Sequence, residues 1–168
     1  MYMGKRQEVE THESCVIPYR FTRSGVEFCL VSEARVNRWE FPRVRPNGDA
    51  SPATLLAEVA VSAGVIGHLE GDDPVAEFVA ARCGSPCRTT AYLMHVTKLD
   101  EVWPQQPGRR RLWCLAEEAR ARLRRKPWRR LIDVALQTLG ARPRPADVHG
   151  NGQSTNGAPS NGRAGSAH

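Results

Sequence analysis

The stretch WEFPRVRPNGDASPATLLAEVAVSAGV, residues 39–65, decides the fold, because it carries a complete set of local instructions. Trp39 to Val44 mixes aromatic and β-branched residues and reads as a short extended segment. Pro46-Asn47-Gly48-Asp49 is turn chemistry: proline presets φ, and Asn, Gly and Asp tolerate the tight conformations that follow. Ser51 then stands where a helix N-cap is wanted, and Pro52 at the first helical position, where a missing N–H costs nothing. Leu55, Leu56, Val59, Ala60 and Ala63 recur at helical spacing, and Gly64 closes the helix as a C-terminal cap. A strand, a turn, a capped amphipathic helix and a glycine stop are therefore expected in that order.

Working outward, Cys15–Tyr19 and Val26–Val31 read as strands joined by a tight turn at Ser24-Gly25. Downstream, Val75–Ala81 and Thr89–Thr97 read as a hairpin around the turn CGSPC, and Arg111–Leu115 as a short extended segment. Leu115–Arg125 reads as a helix with glutamates early and arginines late, as the helix dipole prefers. Pro127–Leu139, ending at Gly140, is a second helix with Trp128, Leu131, Ile132, Ala135, Leu136 and Leu139 on one face. Short strands mixed with helices predict an α/β or α+β fold with helices covering a mixed sheet. Residues 141–168 are built mostly of Gly, Asn, Ser, Ala and Pro and bury too little to offset their ordering entropy. The expected organisation is one domain over residues 8–140 and a disordered low-complexity tail over 141–168.

The chain has 168 residues, 40% hydrophobic and 25% charged, enough for one core and against global disorder. No apolar run approaches the roughly 18 residues of a membrane helix, and MYMGKRQEVETHES has no apolar h-region, so no membrane association and a cytoplasmic location are expected. Five cysteines then read as reduced thiols. Cys83 and Cys87 form C-x3-C, but no second pair of matching spacing completes a zinc set, so they read as hairpin-tip and strand cysteines. Net charge is +6, and it is concentrated: Arg109–Arg130 holds ten basic residues and two acids. Such a field suits a polyanion, whether a nucleotide, an inositol polyphosphate or nucleic acid. No G-x-S-x-G, Walker A or G-x-G-x-x-G motif is present.

Residues 39–65 also resemble the Nudix box region, whose pattern is G-x5-E-x7-R-E-U-x-E-E-x-G-U with U a bulky aliphatic residue. Trp39 and Pro42 match the W-x-x-P that commonly precedes the box, and Gly48-Asp49 stand where G-E is usual. Seven residues separate Asp49 from Ala57; Glu58 follows at the first glutamate, Val59 at U, and Gly64-Val65 at G-U. The flanks CVIPYRFTRSGVEFCLVSEARVNRW, Trp103-Pro104, Arg109–Arg111, Trp113 and Glu117-Glu118-Ala119 are similar to the diphosphoinositol polyphosphate phosphohydrolase branch and its bacterial relatives. The likeness covers about residues 12–138 and implies a Nudix-type α/β/α sandwich with a mixed sheet, from a lineage that hydrolyses diphosphate linkages with Mg²⁺ or Mn²⁺. It implies Glu58 as a metal ligand and Arg43, where the family carries a phosphate-contacting base, as a substrate contact; Arg20 and Arg38, on the early strands, are further candidate substrate contacts.

The departures bear on chemistry. In the family, carboxylates at i, i+3 and i+4 of the helix share one face and gather hard cations, which screen the diphosphate and orient water. Here Glu58 keeps i, while i+3 and i+4 are Val61 and Ser62. The bracing arginine is Ala57, and the opening glycine is replaced, with Arg43 or Val44 in its place. Asp49, or Asp72, Asp73 and Glu77 downstream, would have to supply the missing carboxylates. Three readings follow. The first is a degenerate Nudix domain with weak or lost hydrolysis that retains a nucleotide or polyphosphate binding or regulatory role. The second is an active hydrolase of nucleoside-diphosphate-linked or inositol pyrophosphate substrates with a rearranged metal site. The third is a basic module associating with nucleic acid through the Arg109–Arg130 surface.

Overall fold

The computed structural model describes residues 11–45, 50–82 and 84–140. Residues 46–49 (where a turn is expected, and which include Asp49), Cys83, and the proposed tail from 141 onward lie outside the described residues. Among the described residues seven strands form one mixed sheet: β1 (Thr11–Thr22), β2 (Gly25–Glu33), β3 (Arg43–Val44), β4 (Val65–Leu69), β5 (Ala76–Arg82), β6 (Ser85–Leu99) and β7 (Arg109–Leu115). The main strand order is β4-β6-β1-β2-β7, with β3 added to β1 and β5 to β6. β1 and β6 run parallel, Thr11 opposite Cys87 through Tyr19 opposite His95, and the other pairs are antiparallel. The long strand β6 is shared along one edge, by β5 over its first half and by β4 over its second.

Helix α1 (Pro52–Ala63) forms as its sequence dictates. The Ser51 hydroxyl accepts from the Thr54 N–H, Pro52 opens the first turn, and Gly64 takes the left-handed conformation (φ 64°) with its N–H on the Ala60 carbonyl. Leu55, Val59 and Ala63 pack with Val16, Cys29, Val31, Val44, Val65, Met94 and Val96 on one face of the sheet. The other face is covered by α2 (Ala116–Arg122) and α3 (Lys126–Gly140), whose Leu131, Ile132, Ala135 and Trp128 meet Ile17, Tyr19, Phe28, Leu30 and Leu93. Alternation along β1 sends Cys15, Ile17 and Tyr19 to the α2–α3 side and Val16 to the α1 side. This is the α/β/α sandwich with a mixed sheet that the resemblance implies.

Four local expectations shift. β4 follows directly on Gly64 and is not signalled by its own sequence, because VIGHL is short, carries a glycine and lacks alternation. β1 and β7 start earlier than predicted, since pairing with β6 and β2 extends ends that read as polar. Between Trp39 and Pro42, Glu40 makes an isolated bridge to Val31 and the Pro42 carbonyl accepts from the Val16 N–H at 3.0 Å.

Candidate functional site

Glu58 and Ala57 sit on the exposed side of α1, and Glu58 makes no hydrogen bond or ion pair with another described residue. Val61 is also outward, 36% exposed, whereas Ser62 is 7% exposed. The one carboxylate of this face therefore has an apolar neighbour at i+3 and a buried hydroxyl at i+4. Asp72 and Asp73 are exposed in the β4–β5 connection, and Glu77 is ion-paired to Arg88 across the β5–β6 hairpin. Among the described residues Glu58 belongs to no converging group of three metal-capable side chains. Among the described residues, this face of α1 offers one exposed carboxylate where the family pattern gathers three for a hard cation, so these residues alone do not fit that centre.

Burial at these two positions has opposite consequences. Val61→Glu should change stability by less than about 0.5 kcal/mol, as an exposed substitution. Ser62→Glu should cost about 2 kcal/mol or more, because it carries a carboxylate into the α1–sheet interface. Paired thermal melts check both; equal melting temperatures would contradict this placement of the helix face.

The C-terminal end of α1 is tied down by β7. Arg111 Nη1 donates to the carbonyls of Ala63 (2.9 Å), Gly64 (3.0 Å) and Asp100 (3.0 Å). Its guanidinium lies 4.4 Å from the Trp103 ring centroid. A cation on the orphan carbonyls of a helix end satisfies them and complements the dipole.

A cleft of about 370 Å³ opens on the α2–α3 side, lined by Arg38, Trp39, Glu40, Arg43, Arg82, Arg124, Arg125 and Trp128 among others. Its floor is an ion-pair network. Glu13, 3% exposed, accepts from Arg82 and from Thr89 Oγ1 (3.3 Å), and lies 3.6 Å from Arg43 Nη1. Arg43 also grips both Glu40 oxygens, at 2.8 and 2.6 Å, and lies over the Trp128 ring at 5.7 Å. Burial opposes the Arg43 charge, but Glu40 and Glu13 outweigh it and hold its pKa above the ordinary value. Trp39 is flanked by the guanidinium groups of Arg110 (5.1 Å) and Arg122 (5.6 Å). Arg38, Arg124 and Arg125 form no ion pair with a described residue; Arg124 and Arg125 only donate to the carbonyls of Asn37 and Ala81.

Of the three arginines singled out in the sequence, Arg38 and Arg43 meet in this cleft. Arg20 does not: it projects to the α1 side, paired with Glu27 at 2.7 Å and lying 4.2 Å over Trp113. Arg82, Glu13 and Trp128 were not signalled as site residues, because only the fold brings them to Arg43. The basic run Arg109–Arg130 is divided among separate tasks rather than laid out as one stripe. Arg111 caps α1, Arg120 pairs with Glu117 and Asp133, Arg122 pairs with Glu118, and only Arg124 and Arg125 reach the cleft. Burial pushes the Cys29 thiol up to about 12 and Cys114 to about 11, and raises Cys15 further, so none of these is a nucleophile near neutral pH.

No family model matches the chain. It is 30% identical over 146 residues to Nudix hydrolase 17, mitochondrial, of Arabidopsis thaliana, covering 82% of this chain and 78% of that one. Among solved structures it is similar to a C. elegans Ap4A hydrolase in a binary complex, with TM-score 0.66, 16% identity, 77% of this chain and 98% of that one. It is also similar to the NUDIX domain of Shewanella oneidensis NrtR complexed with ADP ribose, with TM-score 0.65, 12% identity, 82% of this chain and 94% of that one.

Proposed function

Because the chain belongs to the Nudix hydrolase family, we propose that it binds a nucleotide or inositol polyphosphate in the Arg38–Arg125 cleft, with weak or lost metal-dependent hydrolysis. The observation that carries this reading is the composition of the cleft. Five arginines and two tryptophans line it, and its carboxylates, Glu40 in the wall and Glu13 behind it, are already spent on Arg43 and Arg82. The charges of Arg38, Arg124 and Arg125 are left to meet phosphate oxygens, and arginine's planar fork suits such oxygens. The helix that would hold the family's divalent ion offers Glu58 with Val61 and Ser62, which supports binding without efficient turnover. ADP ribose and Ap4A, the compounds named with the structural neighbours, are the first ligands to try, with an inositol polyphosphate beside them. A reducing compartment suits the free thiols of Cys15, Cys29, Cys87 and Cys114, buried among the described residues, and we retain the cytoplasm as the proposed location; among the described residues no helix is long and apolar enough to cross a membrane.

The test is calorimetric titration of the full chain with ADP ribose, Ap4A and inositol hexakisphosphate, at two salt concentrations, with turnover followed in Mg²⁺ or Mn²⁺. At least one compound should bind, with affinity falling as salt rises. Arg124→Ala with Arg125→Ala should weaken it by about tenfold or more, since a hydrogen bond to a charged group contributes roughly 1.5–3 kcal/mol. Glu58→Gln should leave binding unchanged and turnover at background. Robust wild-type turnover that Glu58→Gln abolishes would replace this reading with the active hydrolase. Preference for an RNA oligonucleotide over every small polyanion would replace it with the nucleic-acid module.

A further inference from the structure

Across β4, β6 and β1, three strands place two imidazoles and a phenol in a row. His68 on β4 is directly opposite His95 on β6, and His95 is directly opposite Tyr19 on β1. Tyr19 points to the α2–α3 face, and the register puts the two histidines on the same face. Glu70 follows two residues after His68, anchored by its backbone N–H on the Leu93 carbonyl at 2.8 Å. The ligating atoms of His68, Glu70 and His95 all lie within 4.8 Å of one another. We propose that His68, Glu70 and His95 form a binding site for a first-row transition-metal dication of the Zn²⁺ class.

Donor chemistry, spacing and support all favour this. Two imidazole nitrogens and one carboxylate are the donors that zinc and its neighbours take, whereas Mg²⁺ and Ca²⁺ prefer oxygen alone. Ligands about 2.0–2.1 Å from a tetrahedral Zn²⁺ are roughly 3.4 Å apart, so the three side chains need only small rotations to close on an ion. The backbones are already fixed by the β4–β6 ladder, so little ordering cost remains. Tyr19, 2% exposed, donates its hydroxyl to Glu70, which orients the carboxylate from behind as second-layer partners of metal ligands do. The Tyr19 ring stacks on His95 at 5.1 Å and 17°, and the His68 ring meets His95 edge-on at 5.2 Å and 88°. The imidazoles are thus held in place by aromatic packing. His68 is exposed and the other two are half-buried, so an ion can enter and keep one position for water. The site is separate from Glu58, from the basic cleft and from the cysteines.

The experiment uses the full chain, stripped of metal with a chelator and kept reduced, titrated with Zn²⁺ and separately with Co²⁺. One equivalent of Zn²⁺ should bind and raise the melting temperature. Co²⁺ should give visible d–d bands without the near-ultraviolet thiolate band that cysteine ligation produces. His68→Ala, at an exposed position, should weaken Zn²⁺ binding by at least tenfold and remove the thermal shift. Glu70→Gln should do the same, and Tyr19→Phe should weaken binding about 10–100-fold while leaving the stoichiometry at one. Glu58→Gln should change nothing, which separates this site from the reading of the α1 face. Absence of stoichiometric Zn²⁺ binding, binding indifferent to His68→Ala and Glu70→Gln, or a Co²⁺ spectrum dominated by thiolate would each overturn the assignment.

Discussion

Glu13→Ala should lower stability by about 3 kcal/mol, the range for removing one partner of a buried ion pair, and the melting temperature by on the order of 10 °C. Glu13 is almost wholly enclosed, and its carboxylate lies between Arg82 and Arg43, whose side chains are themselves only 26% and 19% exposed. Removing it leaves two guanidinium groups facing each other; Arg43 keeps Glu40, while Arg82 loses its ion-pair partner among the described residues. Glu13→Gln keeps the shape and the hydrogen bond to Thr89 and should lose less. The same variant should bind polyanions several-fold more tightly, because the cleft loses a negative charge behind its floor. Less stability with stronger anion binding is the joint signature. A melting temperature within a degree or two of wild type, or unchanged affinity alongside the destabilisation, would show that Glu13 does not serve as the floor of this cleft.

Gly67→Ala should cost about 3 kcal/mol or more, at the upper end of overpacking penalties, because the obstruction is backbone rather than a movable side chain. A Cβ at Gly67 would stand 1.8 Å from the His95 carbonyl oxygen and 2.9 Å from the Val96 Cα. The β4–β6 register shifts at Ile66/Gly67, so the glycine permits the close approach that this irregularity requires. To admit a methyl group, β4 must lift away from β6 and take His68 and Glu70 with it. Urea midpoints check the stability loss, and Zn²⁺ affinity should fall with it. A variant as stable as wild type would mean that the strand pair opens at little cost.

How much of this was legible depends on whether the information is local. Helix α1 was readable because Ser51, Pro52 and Gly64 each act on the backbone within a few residues of themselves. So was the β5–β6 hairpin, whose turn glycine Gly84 takes a positive φ of 80°. β4 was not, because VIGHL becomes a strand only against β6. The start of β1 reads Thr-His-Glu-Ser, polar throughout, yet Glu13 and Ser14 are buried. Their burial comes from β6 on one side and, at Ser14, β3 on the other. In the cleft, Arg43 is legible from the motif beside it and Arg38 from its place among the early strands, while Arg82 and Trp128 join them only through the fold. Total charge was visible in Arg109–Arg130; which arginines were already engaged with Glu117, Glu118, Asp133 and the end of α1 was not.

The parallel pairing of β1 with β6 also dictates the order in which the chain can assemble. Glu13 and Thr89 stand 76 residues apart yet share a hydrogen bond at the centre of the sheet. The β1–β2 hairpin can close early, but the strand that covers its other edge is synthesised last but one. At roughly 5–20 residues per second on the ribosome, β1 waits several seconds with an unpaired edge. Closing so distant a pair carries a loop entropy that local contacts do not repay beforehand. Refolding should accordingly be slower than for a helical domain of this length. A nascent chain arrested before β6 emerges should be protease-sensitive in β1, and one arrested after β7 should not.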